Sequence, residues 1–65
     1  MTNTHELEYA ILKADLKKKD VAKHLGLSEQ GFLLKLNNKN EFKASEIAKL
    51  VNLLKLKDAS IFFGK

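Results

Sequence analysis

The sequence predicts an all-α fold, and three observations carry that prediction. Apolar residues recur at helical spacing almost throughout. No run alternates apolar and polar residues as a half-buried strand does. Proline is absent and glycine occurs three times, so little interrupts helices. The 65 residues make one domain, spanning 1–65, and a 45% hydrophobic content suffices for one helical core.

The first helix is expected from Thr4 to Leu16. Asn3 can cap it, and Glu6, three residues on, completes a capping-box pattern. Leu7, Ile11 and Ala14 recur on one face, joined by Ala10. A second helix covers Lys18 to Leu25 and stops at Gly26, which tolerates the left-handed conformation of a helix end. Ser28 caps a third helix, Glu29 to Leu36. Asn37, Asn38, Lys39 and Asn40 form a polar loop. A fourth helix covers Ala44 to Leu54, with Ile47, Leu50, Val51 and Leu54 as its apolar stripe. Asp58 can cap a last short helix carrying Ile61 and Phe62 or Phe63.

The second and third helices, joined tightly at Gly26, have a specific spacing. Ala22 sits where they would cross, and Phe32 and Leu36 would plug the third helix into the core. That layout describes a helix-turn-helix, whose second helix fits the major groove of DNA.

Two helix starts share a pattern. Leu16 and Phe42 precede the cap positions, and Val21 and Ile47 occupy the fourth helical positions, as in a hydrophobic staple. Asp20 and Glu46 stand at the third positions, where an acid suits the helix dipole. The cap positions themselves hold Lys17 and Lys43. Losing an oxygen cap typically costs about 1 kcal/mol, and a cation there opposes the dipole. A bound phosphate at each start would relieve both problems. The alternative is that both lysines simply point into solvent.

Composition narrows the function. There is no cysteine, which excludes disulfides and cysteine-based metal sites. His5 and His24 lie far apart with no ligand motif around them, so no metal or other cofactor is expected. His24 reads as a surface residue near a helix C-terminus. Net charge is +4, compatible with a polyanionic partner and with plain solubility. All twelve basic residues are lysine. Lysine neutralises phosphate as a point charge but lacks arginine's two-pronged grip on guanine. No apolar run approaches the roughly 20 residues of a membrane span. The start, MTNTHELEY, lacks the basic and apolar regions of a signal peptide, so a cytoplasmic protein is expected. No carboxylate pair, nucleophile–base arrangement or phosphate-binding glycine loop marks an enzyme.

At Val21-Ala22, Leu25-Gly26-Leu27-Ser28 and Phe32 the chain resembles a helix-turn-helix of the XRE/Cro type. The continuation SEQGFLLKLNNKNEFKASEIAKLVNLL, followed by IFFGK, is similar to small Cro-like repressors of phages and prophages in Gram-positive bacteria. The resemblance covers almost the whole chain. It implies a compact, lambda-repressor-like bundle of five helices and transcription regulation through dimeric binding to operator DNA in the host cytoplasm. Lys18 stands where members of that family often have a glutamine that touches phosphate. Ser28, Glu29 and Gln30 would form the leading edge of the recognition helix, and Leu33 and Leu34 stand at further base-facing positions. Asn37, Asn38 and Lys39 would form the loop that approaches the DNA backbone. The chain departs from the pattern at Leu33 and Leu34, where relatives usually carry small polar or basic residues.

With about 100° per residue and Phe32 at zero, Leu36 falls near 40°, and these two mark the buried face. Gln30, Leu33, Leu34 and Asn37 fall between about 100° and 200°, on the outward face. Gln30 can pair with adenine, and the leucines can contact thymine methyl groups. Lysines at Lys17, Lys18, Lys19, Lys39 and Lys43 would supply phosphate contacts. Asn37, near the helix end, is better placed for phosphate than for bases. Glu29 can accept from cytosine, but it also suits the helix dipole at the first turn. Exposed leucines can equally mark a protein contact, or one of the pair can pack inward.

Phe62 and Phe63 cannot easily both point inward from one short helix. One reading places one of them in the core and the other, with Ile61, at a dimer contact. The other packs both internally. The functional expectation is a sequence-specific DNA-binding regulator of Cro-like type. Its alternative is a module of the same fold that binds a phage repressor protein through Leu33 and Leu34, as an antirepressor or modulator.

Overall fold

Among the described residues four α-helices follow one another, and each stops in the same way. The computed structural model describes residues 1–63. The helices are α1 (Thr4–Lys13), α2 (Lys18–His24), α3 (Glu29–Leu36) and α4 (Ala44–Leu54). A 3₁₀ turn follows at Ser60–Phe62, and no strand occurs among the described residues. No described helix is long and apolar enough to cross a membrane.

The all-α class matches the sequence, and so do the bounds of α3 and α4. The expected fifth helix is instead the single 3₁₀ turn. Asp58, expected to cap that helix, does accept a hydrogen bond from the Ser60 N–H at 2.9 Å, but Ala59 holds the N-cap position and the turn has no side-chain cap. The Ile61 carbonyl is taken by the Asn3 N–H at 2.6 Å. That bond ties the N-terminal segment to the C-terminal one. Gly64 and Lys65, the end of the IFFGK string, lie outside the described residues.

The helix ends share one geometry. Asp15, Gly26, Asn38 and Lys55 all have positive φ, at 61°, 75°, 64° and 53°. After each, the next N–H reaches back five residues. Leu16 donates to Ile11, Leu27 to Ala22, Lys39 to Leu34 and Leu56 to Val51, at 2.8–3.2 Å. These are Schellman stops, which satisfy the orphan carbonyls of a helix end. In three of them the residue after the left-handed position is leucine, and Leu16, Leu27 and Leu56 pack against the core.

This explains why α1 ends at Lys13 and not at the expected Leu16. Continued helically, Leu16 would stand about 180° from Leu7 and face outward. The left-handed turn at Asp15 returns it to the core. Ala14, expected on the buried face, is exposed just past the helix end. For α2 the difference is one residue, because Leu25 is its C-cap.

The helix starts divide into two kinds. Asn3 accepts from the Glu6 N–H at 3.2 Å, and Ser28 from the Gly31 N–H at 3.0 Å. The reciprocal half of the box at Asn3 is replaced by the Asn3 bond to Ile61. At α2 and α4 the half that remains is the reverse one. Asp20 reaches back to the Lys17 N–H at 3.4 Å, and Glu46 to the Lys43 N–H at 2.9 Å. A lysine side chain has no acceptor to offer, so the acid alone organises each start.

The core draws on every element. Leu7 and Ile11 come from α1, Val21 and Ala22 from α2, Phe32 and Leu36 from α3, and Leu50 and Leu54 from α4, joined by Leu25 and Phe62. Phe42 links Phe32 and Phe62 into an aromatic row, with ring centroids 6.0 and 5.5 Å apart. Truncating Phe32 to alanine would cost about 3–5 kcal/mol. That is on the order of the whole stability such a small core supplies.

Candidate nucleic-acid interface

The α2–α3 pair is held by its turn and by direct packing. Gly26 takes its left-handed conformation in open space, since a Cβ built on it would meet nothing within 4 Å. Its requirement is therefore conformational, not steric. Ser28 then caps α3, and Phe32 and Leu36 anchor that helix with no exposed surface. The opposite side of α3 is left to solvent.

The expected outward face divides. Gln30 is exposed, and Leu34 is 40% exposed. Leu33 is not a free reading residue: it is half-buried and packs against the core. The helical wheel explains the difference. Leu33 lies about 100° from Phe32, on the flank, whereas Leu34 lies about 200° away. Ser28 and Glu29 are exposed at the leading end, with Ser28 engaged as the cap.

The loop after α3 is more committed than its sequence suggests. Asn37 donates from Nδ2 to the Leu33 carbonyl at 3.0 Å. Asn38 accepts from the Thr2 N–H and donates to the Thr2 carbonyl, both at 2.9 Å. Its amide thus clamps the N-terminal strap onto the end of α3. Thr4 adds a hydroxyl bond to the Leu36 carbonyl at 2.7 Å. The side chains of both asparagines serve the fold first, while Lys39 remains exposed.

Exposed lysines stand at three places in the chain around α3. Lys17 and Lys19 are exposed at the start of α2, Lys39 in the loop after α3, and Lys43 at the start of α4. Lys18 is partly exposed and lies 3.1 Å from Glu8. An ion pair of that exposure is worth little and opens readily.

The shorter of the two ion pairs among the described residues has no clear signal in the sequence. Lys35, in the last turn of α3, lies 2.6 Å from Glu46 Oε1 in the first turn of α4. The Glu46 side chain is only 9% exposed, and the same oxygen accepts from the Lys43 N–H. Burial opposes its ionisation. The Lys35 hydrogen bond, the Lys43 N–H and the two lysine charges outweigh that effect, so its carboxyl sits below the usual glutamate value.

At the C-terminal end the two phenylalanines separate. Phe62 is buried, Ile61 is half-buried, and Phe63 is 70% exposed. Phe63 joins Ile47, Val51 and Ala59 around a shallow apolar groove of about 460 Å³ along α4. Of the three dimer-contact candidates, Phe62 is used by the core.

A family model described as a protein of unknown function (DUF739) matches residues 4–64. The chain belongs to the DUF739 family. The match takes in all four α-helices and the 3₁₀ turn, so the α2–α3 unit and the segment that ends in Phe63 are both parts of the DUF739 domain. No curated protein and no solved structure matches the chain.

Proposed function

We propose that this chain is a sequence-specific DNA-binding regulator of Cro-like type, acting on operator DNA from the cytoplasm of a bacterial host. In this reading α2, the Gly26 turn and α3 form a helix-turn-helix, and α3 enters the major groove. The observation that carries it is the two-sided character of α3. One side, Phe32 and Leu36, is fully buried, while Gln30 and Leu34 on the other are exposed, and exposed lysines stand at the starts of α2 and α4 and in the loop after α3.

Gln30 would pair with the N6 and N7 edge of adenine, and Leu34 would contact a thymine methyl group. Ser28 and Glu29 would border the groove. Lys17, Lys19, Lys39 and Lys43, with Lys18 once released from Glu8, would neutralise phosphates and supply most of the affinity. With no arginine to grip guanine, the preferred sites would be A·T-containing. Phe63 and the adjoining face of α4 are the surface on which two copies would meet on a two-fold operator, with half-sites about one helical turn apart.

An electrophoretic shift with the DNA upstream of the chain's own gene tests the reading. A shift resisting excess unrelated DNA is expected. No shift at low salt, where even non-specific binding appears, would sink it.

A second reading keeps the fold and gives the exposed Leu34 to a protein partner, such as a repressor. Loss of that partner on Leu34→Ser, with the fold intact and no DNA binding by the parent chain, would favour it.

A further inference from the structure

A second surface lies where α1 and α4 end. Between them runs a groove of about 570 Å³, open to solvent. Ala10 and Ala14 sit one helical turn apart along one wall, and their small side chains leave the space. Leu53 and Leu56 contribute apolar surface from the other wall. Three lysines, Lys13, Lys55 and Lys57, also line the groove, and all three are exposed. No acidic side chain is among its described lining residues. Tyr9, 64% exposed, adds a phenol at the edge. None of the residues assigned to DNA contact lines this groove.

We propose that this groove docks an acidic polypeptide segment. Bulky apolar side chains of that segment enter the floor, and its carboxylates meet Lys13, Lys55 and Lys57. Charge complementarity selects the occupant. Three cations beside one apolar surface match a partner that carries anions and hydrocarbon together. A nucleic-acid backbone would use the lysines and leave the apolar floor wet. A small molecule would remain largely exposed in so open a groove, whereas ligand pockets enclose most of their ligand. A helix with leucines on one face and glutamates flanking them uses both parts of the groove, as in other helix-in-groove contacts.

The test is a titration of the isotopically labelled full chain, followed by amide chemical shifts. The probe is a synthetic, end-capped helical peptide with leucines at i, i+4 and i+7 and glutamates flanking them. The control peptide replaces each glutamate by lysine. The glutamate peptide is expected to shift amides around Ala10–Ala14 and Leu53–Lys57, and the lysine peptide to shift none. The doubly reversed variant Lys13→Glu/Lys57→Glu is expected to weaken binding about tenfold or more. Ala14→Phe, which fills the floor without changing charge, is expected to weaken it similarly. Lys13→Gln/Lys57→Gln provides a milder version should charge reversal perturb the fold. Shifts centred on α3 or on the Phe63 groove would overturn the proposal, as would equal affinity for the charge-altered variants. So would a duplex DNA that shifts the same groove residues, or a self-association equilibrium that Ala14→Phe abolishes. Operator binding by Ala14→Phe is expected to remain normal, so failure here and failure of the DNA-binding reading are separable.

Discussion

Lys35 on α3 and Glu46 on α4 form a 2.6 Å ion pair that lies almost out of solvent. It fixes the last turn of the candidate reading helix against the start of the next helix. It also makes stability depend on pH. Glu46 titrates below its usual value in the folded chain. Its contribution is therefore complete above the unfolded glutamate value, about 4.3, and is lost as pH falls through the lower folded value. Asp58, held down by its hydrogen bonds with Ser60, acts in the same direction. Glu46→Gln should cost about 1–3 kcal/mol at neutral pH and flatten the acid limb. Thermal melts from neutral to acidic pH check this, and parallel curves for parent and variant would refute it.

Leu33 and Leu34 are neighbours in sequence with opposite surroundings, and their substitutions should separate. Leu33→Ala removes a side chain packed against the core, so the midpoint of thermal unfolding should fall by several degrees, about 4–8 °C per kcal/mol. Leu34→Ala should change stability by less than about 0.5 kcal/mol yet weaken operator binding. Gln30→Ala should cost about 1–3 kcal/mol of discrimination at one A·T pair. Fluorescence anisotropy with matched and mismatched duplexes, beside melting curves, measures both effects. Unchanged affinity in Leu34→Ala and Gln30→Ala together would remove α3 from the interface.

The fold was largely legible because apolar period and turn chemistry agree. Gly26, Ser28, Phe32 and Leu36 each announce their role by residue type and spacing. The missed features involve residues whose type misleads. Asp15 and Lys55 are poor signals for a left-handed stop, and only the leucine that follows each hints at it. Asn38 reads as generic loop, because its partner Thr2 lies 36 residues away. The Lys35–Glu46 pair spans two helices, and a sequence crowded with lysines does not single out which one meets the buried acid. At the candidate interface, Leu33 stands about 100° from Phe32, at the margin of the outward arc, where the wheel alone does not separate flank from outward face.

The exposed lysines are expected to act through phosphate, and salt dependence tests each one. A lysine that neutralises one phosphate contributes about 0.9 to the slope of log affinity against log salt. Lys17→Ala, Lys19→Ala, Lys39→Ala and Lys43→Ala should each lower the slope, almost equally on operator and unrelated duplexes. Lys49→Ala, exposed further along α4, serves as the control and should leave it unchanged. Asn38→Ala should behave differently. It breaks the clamp on Thr2, so its main effect is a lower melting temperature with the salt slope retained. A reduced slope in Lys49→Ala equal to that in Lys43→Ala would argue for diffuse, non-specific attraction.

The four left-handed stops predict opposite signs for two substitutions. Lys55 holds φ at 53° with an ordinary side chain. An L-residue there carries about 1–2 kcal/mol of conformational cost. Glycine removes that cost but loses about 0.5–1 kcal/mol through the freedom of the unfolded chain. Lys55→Gly should therefore stabilise the fold by roughly 0.5–1 kcal/mol. Gly26→Ala meets no atom, yet imposes the same left-handed cost at φ 75°, so it should destabilise by about 1 kcal/mol. Gly26→Asn should lose less, because asparagine visits that region more readily. Urea unfolding of the three variants measures the differences. If Lys55→Gly proved destabilising, the lysine side chain would have to supply a contact worth more than its strain.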